Sequence, residues 1–120
     1  MSVQIVGGSV SPSTALTLNA QTGTTYTFVL TDANNTLVTA SNASAQTYTI
    51  PPNSSVAYPI GAQLNIIQIG AGQVSFAQGS GVTIASNGGT STAPKLRVQY
   101  SSASAIKVGT DSWYVVGDIS

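Results

Sequence analysis

The chain has 120 residues and carries three aspartates, three lysines or arginines and no His, Glu or Cys. Charged residues make up 5% of the sequence, against about 25% in an ordinary soluble domain, so Ser, Thr, Asn and Gln supply the polarity. This inventory excludes thiolate and His zinc sites and the usual nucleophile–base pairs, and no enzyme activity or cofactor is expected. The zero net charge offers no attraction for nucleic acids or anionic membranes. The length predicts one domain.

Residues 1–23 contain only weak apolar pairs, Val3 with Ile5 and Leu16 with Leu18, separated by glycines and a proline. They predict a short N-terminal arm followed by an edge strand. The first residues lack the basic and apolar pattern of a signal peptide. No window approaches the ~20 apolar residues of a membrane helix.

From residue 24 onward, apolar residues recur at a spacing of two and are mostly β-branched or aromatic, which is typical of strands with one buried face. Four such strands are predicted at 24–32, 46–51, 55–61 and 95–101. Residues 64–69 are apolar on both sides, so this strand is predicted to be central.

Turn residues separate these strands. Gly79 and Gly81 predict a meander between 73–77 and 81–85, and Gly109–Asp111 predicts a tight turn inside a final strand pair at 101–118. Residues 86–94 lack large apolar side chains and are expected to form an exposed loop. No period of 20–50 residues repeats, which argues against a solenoid or β-helix.

These features predict an all-β fold, a single antiparallel β-sandwich or jelly-roll-like domain at 24–120 with the arm at 1–23. Threonines do not keep a constant T-x-T register across successive predicted strands, so a threonine array that matches ice is not expected.

Two groups of residues with side-chain oxygens are candidate chemical sites. Asp32–Asn35 has spacings that a calcium loop can use, but an Asx-type turn is the favoured interpretation. Asp111 and Asp118 are candidates for the two carboxylates that flank the scissile bond in a glycosidase. Nothing in the sequence predicts that either is held protonated, and no metal site is predicted.

Aromatic and basic residues near the C-terminus are candidates for subunit contacts. Trp113 and Tyr114 are consecutive in a predicted strand, so one should be buried while the other faces a partner or stacks on a sugar. Lys95 and Arg97 should share a face, and together with Lys107 they are expected to meet the aspartates within the fold or across an interface.

Three blocks of sequence carry a family resemblance: TYTFVLTDANNTLVTASNASAQTYTIPPNSSVAYPIG, LNIIQIGAGQVSFAQGSGVTIAS and KLRVQYSSASAIKVGTDSWYVVGDIS. In this order they resemble a small β domain of tailed-bacteriophage virion proteins, found in head decoration proteins and at the ends of head or tail fibres. The resemblance covers residues 24–120. It implies a viral structural protein made in the bacterial cytoplasm and located in the virion.

A domain without a fibre shaft is expected to attach through its own faces or arm. The expected function is therefore that of a capsid decoration, or cement, protein that binds the outer surface of the head and stabilises contacts between copies of the major capsid protein. By resemblance it is a homotrimer. The alternative is a fibre-tip or receptor-binding module. The candidate interaction residues are Val3, Ile5, Val10, Arg97, Trp113 and Tyr114.

Overall fold

A computed structural model describes residues 15–120, which form nine strands and one short 3₁₀ helix, Leu30–Ala33. The candidate interaction residues Val3, Ile5 and Val10 lie outside the described residues. The strands are β1 Thr17–Gln21, β2 Thr25–Thr27, β3 Thr36–Ala40, β4 Gln46–Ile50, β5 Gln63–Gln68, β6 Val74–Gln78, β7 Thr83–Ala85, β8 Ser102–Gly109 and β9 Ser112–Gly117. No helix within 15–120 has the length and apolar character needed to cross a bilayer.

The strands form two sheets. A six-stranded sheet has the order β1-β3-β5-β8-β9-β7, and a three-stranded sheet has the order β2-β4-β6. The prediction of one all-β domain of sandwich-like form is confirmed, while the jelly-roll form is not. The predicted antiparallel arrangement is wrong for most of the strand pairs. Antiparallel pairing joins only β5 to β8 and β8 to β9; every other neighbouring pair of strands is parallel.

The first six strands alternate between the sheets, odd-numbered strands in the larger and even-numbered strands in the smaller. Parallel pairing of alternate strands is the arrangement of a short β-helix, so the expectation against such a structure was wrong. The offset between paired strands is 19 residues where Thr17 pairs with Thr36, but 28 where Leu37 pairs with Asn65. Loops of unequal length therefore hide the repeat in the sequence.

The turns after β3 and β5 stack closely, and this stacking requires glycine at two positions. A Cβ on Gly72 would lie 1.8 Å from the carbonyl oxygen of Ser44, and one on Gly70 would lie 2.5 Å from the backbone nitrogen of Asn42. The backbone nitrogen of Gly72 donates to the carbonyl of Asn42 at 2.8 Å. The turn after β5 thus rests directly on the turn after β3, and only glycine allows that approach.

The core lies between the two sheets. Tyr26, Tyr48 and Phe76 are in register on the inner side of the three-stranded sheet. Phe28 completes this aromatic layer, with its ring centroid 5.9 Å from that of Tyr48 and 6.4 Å from that of Phe76. Opposite this layer the larger sheet contributes the buried residues Val38, Leu64, Ile66, Ala105 and Val115.

Several predicted strands are replaced by loops. Residues 55–61 contain no strand, and only Tyr58 of their apolar series is buried. Residues 95–101 form isolated bridges through Lys95 and Leu96, while Val98 and Tyr100 are exposed. Pro59 interrupts the first segment, and a positive φ of 70° at Tyr100 ends the second.

Two further expectations concern strand pairing. β6 and β7 do not form the predicted meander, because β7 pairs with β9 in the other sheet. The central position of β5 and the β8–β9 hairpin are confirmed. β3 was not predicted from the sequence, although it lies in the middle of the parallel half.

Candidate interaction face

The outer side of the six-stranded sheet carries exposed residues and is here called the outer face. Alternate residues of each strand point inward and are buried, as in β5, where Leu64, Ile66 and Gln68 are buried. The intervening residues therefore point outward. The outward apolar side chains include Leu18, Leu37, Ile67, Ile106, Tyr114 and Val116.

Strand register places these side chains in rows across the sheet. Leu18 lies beside Leu37, and Ile106 lies beside Tyr114. Between them, Ser104 Oγ donates to Asn65 Oδ1 at 2.7 Å, and Gln63 Nε2 donates to the same oxygen at 2.9 Å. The face thus combines exposed apolar patches with hydroxyl and amide groups that already bond one another.

Charge is missing from this surface. None of the outward residues on the strands of the described chain is acidic or basic, although Lys107 lies on β8. The solvent-exposed fractions are 67% for Leu18, 54% for Tyr114 and 51% for Val116. Apolar side chains in an uncharged setting are the composition of a protein-binding surface rather than of a solvated one.

Among residues 15–120, one edge of the outer face is open. There β1 pairs with β3 on one side only and is the first strand in the sheet order. An unpaired strand edge presents main-chain donors and acceptors that can add to a neighbouring sheet. β1, Thr17–Gln21, therefore lies at an edge of the sheet, and its Leu18 is exposed.

Trp113 and Tyr114 divide as their consecutive positions predicted. Trp113 is buried and its ring meets that of Tyr58 edge to face at 5.3 Å between centroids. Tyr114 is on the outer face and borders a depression of about 430 Å³ whose lining includes Asn87 and Val116. Only Tyr114 of this pair is available to a partner.

Arg97 is engaged in an exposed ion pair with Asp118. Arg97 Nε donates to Asp118 Oδ1 at 2.8 Å and Nη2 donates to Oδ2 at 3.1 Å. The guanidinium, with the Ser101 hydroxyl that donates at 2.6 Å, holds the pKa of Asp118 below its ordinary value. The expected contact between a basic and an acidic residue within the fold is thus found for Arg97 and Asp118. Through Asp118, the segment after β9 is hydrogen-bonded to Arg97 and Ser101.

Asp111 and Asp118 are not brought together. They flank opposite ends of β9, so at about 3.3 Å per residue they are roughly 20 Å apart. Glycosidase carboxyl groups lie about 5 to 9.5 Å apart. These two residues therefore do not form a glycosidase carboxylate pair.

Asp32 is buried and is saturated with hydrogen bonds. Its Oδ2 accepts from the Tyr26 hydroxyl at 2.6 Å and from the Val29 backbone nitrogen at 2.9 Å, and its Oδ1 accepts from Asn19 Nδ2 at 2.9 Å. No group of three metal-binding side chains occurs within 15–120. The carboxylate ties β1, β2 and the 3₁₀ helix together.

The outer side of the three-stranded sheet carries a threonine array that the sequence did not predict. Thr25 pairs with Thr47, and Thr27 pairs with Thr49. The T-x-T register therefore does hold across β2 and β4. The third strand places Ser75 and Ala77 in these positions, so the regular array ends after two strands.

No family model matches the chain, and no curated protein matches it significantly.

The outer face was missed by sequence reasoning, except for Tyr114. Leu18 and Leu37 meet only through parallel pairing of strands 19 residues apart, and no local pattern specifies that partner. The sequence signal that could have indicated the face is the absence of charge at every alternate position of β5, β8 and β9 that faces away from the core.

Proposed function

We propose that this chain is a capsid decoration protein of a tailed bacteriophage, which binds the outer surface of the head through its outer face and bridges neighbouring copies of the major capsid protein. The observation that carries the proposal is the uncharged, partly apolar outer face with an open β1 edge beside it. The resemblance of 24–120 to phage virion domains supplies the biological setting and the homotrimer.

The physical argument concerns what such a face can do. Apolar area removed from water contributes roughly 25 cal/mol per Å², and main-chain hydrogen bonds along an edge strand set the orientation of the partner. Neither contribution needs charge. Many copies that each bury this surface across a seam resist separation of the capsid subunits, because separation must break every contact.

The direct test is binding to particles that lack the protein. The Tyr114→Asp, Val116→Asp double variant should bind several-fold less, since two carboxylates would be buried without partners. The matched control is Thr47→Asp, Thr49→Asp, which places the same charges on the other sheet. Equal loss in both variants, or loss in neither, would contradict the assignment of the outer face.

The arm can be tested separately. Because β1 is part of the sheet, the informative deletion removes residues 1–14 and leaves Thr17–Gln21 in place. Particle binding should fall while the thermal unfolding midpoint of the isolated protein stays the same. Undiminished occupancy of capsids would remove the arm from the mechanism.

A receptor-binding module at a fibre tip is the alternative function. The observation that favours it is the depression beside Tyr114, where an exposed ring lies near the polar residues Ser86 and Asn87 and could stack on a sugar. Counting copies per virion by quantitative mass spectrometry separates the two. A decoration protein should approach the copy number of the capsid subunit, whereas a fibre tip should be present in few copies.

A further inference from the structure

Lys107 is a buried base that the proposed function does not use. It lies on β8, its side chain points between the sheets, and only 2% of it is exposed. Its Nζ donates to Asn53 Oδ1 at 2.6 Å and to the carbonyl oxygen of Tyr58 at 2.7 Å. The one ion pair among residues 15–120 is Arg97–Asp118, so no carboxylate contacts this amine directly.

Asn53 is held firmly opposite Lys107. It follows Pro51 and Pro52, whose rings restrict the backbone after β4. The carbonyl of Pro52 accepts from the nitrogens of Ser55 and Val56 at 2.9 and 3.0 Å, which closes the turn. These contacts hold the backbone of the turn that carries Asn53.

Asp111 fixes the same turn from the other side. Its Oδ1 accepts from the backbone nitrogen of Asn53 at 2.7 Å, and its own carbonyl accepts from the nitrogen of Thr83 at 2.8 Å. Asp111 is therefore a positioning residue that connects the β8–β9 turn to the turn carrying the amide.

The geometry brings two groups that can react within reach of each other. Since a carbonyl bond is about 1.2 Å long, the Cγ of Asn53 lies within about 3.8 Å of Nζ, close to the ~3–3.5 Å of reacting atoms in a productive arrangement. Trp113 and Tyr58 are 2% and 3% exposed beside Lys107, so the amine is shielded from bulk water, while Asn53 is partly exposed.

We propose that Lys107 and Asn53 form an intramolecular isopeptide bond. Nζ gives up two protons in all, one before its lone pair attacks Cγ of Asn53 and one as the new C–N bond forms. The bond from Cγ to Nδ2 breaks, and the departing nitrogen takes up both of these protons and leaves as ammonium. Overall, the Lys107 ammonium and the Asn53 carboxamide become one secondary amide and an ammonium ion, with no oxidant or other reactant.

The first test is the intact mass of the purified, folded protein. The expected mass is lower than that of the unmodified chain by one ammonia molecule. A succinimide at Asn87-Gly88, the single Asn-Gly pair in the sequence, would give the same loss. The Asn87→Ala variant should therefore still show the loss, and Asn53→Ala should not.

Trypsin offers a sharper test because the sequence has cleavage positions only after Lys95, Arg97 and Lys107. An acylated lysine is not cleaved, so digestion of the denatured protein should yield residues 1–95 joined to 98–120 as one branched species. Separate peptides 98–107 and 108–120 from folded, aged protein, together with an unmodified intact mass, would overturn the proposal.

The positioning role of Asp111 is read from the rate of bond formation. In freshly refolded protein, Asp111→Ala should slow the appearance of the branched species at least several-fold, while Asp118→Ala should match the parent chain. The thermal midpoint of each variant before reaction separates this effect from unfolding. Equal rates in the parent and Asp111→Ala proteins would remove Asp111 from the reaction while leaving the mass test of the bond itself in force.

Discussion

The two faces of the six-stranded sheet are built from the same strands but meet different surroundings. The inner face packs against Phe28, Tyr48 and Phe76 and excludes water, and it also holds Lys107. The outer face carries Leu18, Tyr114 and Val116 in an exposed and uncharged setting. The difference shows that the polarity of a side chain alone does not decide which face it occupies. The charged amine of Lys107 is buried between the sheets, and apolar side chains are exposed on the outer face.

The largest effect is expected from the Lys107–Asn53 contact on the inner side. An amide that closes the loop from Asn53 to Lys107 should stabilise the fold by about 4 kcal/mol through the entropy of the unfolded chain. Asn53→Ala removes it, and chemical denaturation measures the loss. Asn87→Ala is the control, and a loss of less than about 1 kcal/mol in Asn53→Ala would contradict a covalent link.

Adjacent isoleucines on β5 compare the two faces directly. Ile66 is fully buried, whereas Ile67 points outward and is half-buried. Ile66→Ala should lower the free energy of unfolding by about 3 kcal/mol because it leaves a cavity, and Ile67→Ala by about 1 kcal/mol or less. Equal losses in the two variants would mean that the outer face is covered in the isolated protein.

High pH should destabilise the interior through its tyrosines. Burial raises the pKa of Tyr48 to about 12 and also raises that of Tyr58. Above about pH 10 the unfolded chain loses these protons first, so the native state binds more protons and stability falls as pH rises. After allowance for solvent screening, we expect a fall of about 2 kcal/mol per pH unit.

Denaturant unfolding at several pH values, together with tyrosinate absorbance, measures this effect. Tyr48→Phe should flatten the slope, because the ring remains while the ionisable hydroxyl, which has no hydrogen-bond partner in the described chain, is removed. An unchanged slope in this variant would place the alkaline transition elsewhere.

Substitution of the buried Asp32 tests the attachment of β1, the strand at the edge of the six-stranded sheet. Asp32→Ala leaves the Tyr26 hydroxyl and the Val29 nitrogen without their acceptor, and the cost should be about 2 kcal/mol. β1 should also exchange its amide hydrogens faster, as NMR can measure. Asp32→Asn keeps one acceptor oxygen and should lose less; the reverse order would contradict the hydrogen-bond account.

The smallest effect is expected at the exposed ion pair. Arg97→Ala should raise the pKa of Asp118 towards its ordinary value, which NMR of the carboxyl carbon detects, with little change in unfolding. Because the pKa of Asp118 is lowered in the fold, its contribution is present above the ordinary pKa and is lost as the pH falls through the folded value. Lys95→Ala is the control and should leave this pKa unchanged.

The alternation of apolar residues predicted those features of the fold that lie within one strand or one hairpin. The β8–β9 hairpin follows from alternating residues around Gly109–Asp111, and the opposite orientations of Trp113 and Tyr114 follow from the pleat of one strand. The central position of β5 follows from its apolar residues on both sides. The burial of Asp32 and Lys107 had no local signal, since their partners lie on other strands and turns.

The sequence by itself determined that this protein is all-β, nearly free of charge and without the residue types of common metal and nucleophilic sites. Tertiary structure alone decided which strands pair, and so created the outer face, the T-x-T register of β2 with β4 and the meeting of Lys107 with Asn53. The physical reason is that period-two alternation specifies which side of a strand is buried. It carries no information about a parallel partner that lies 19 to 28 residues away.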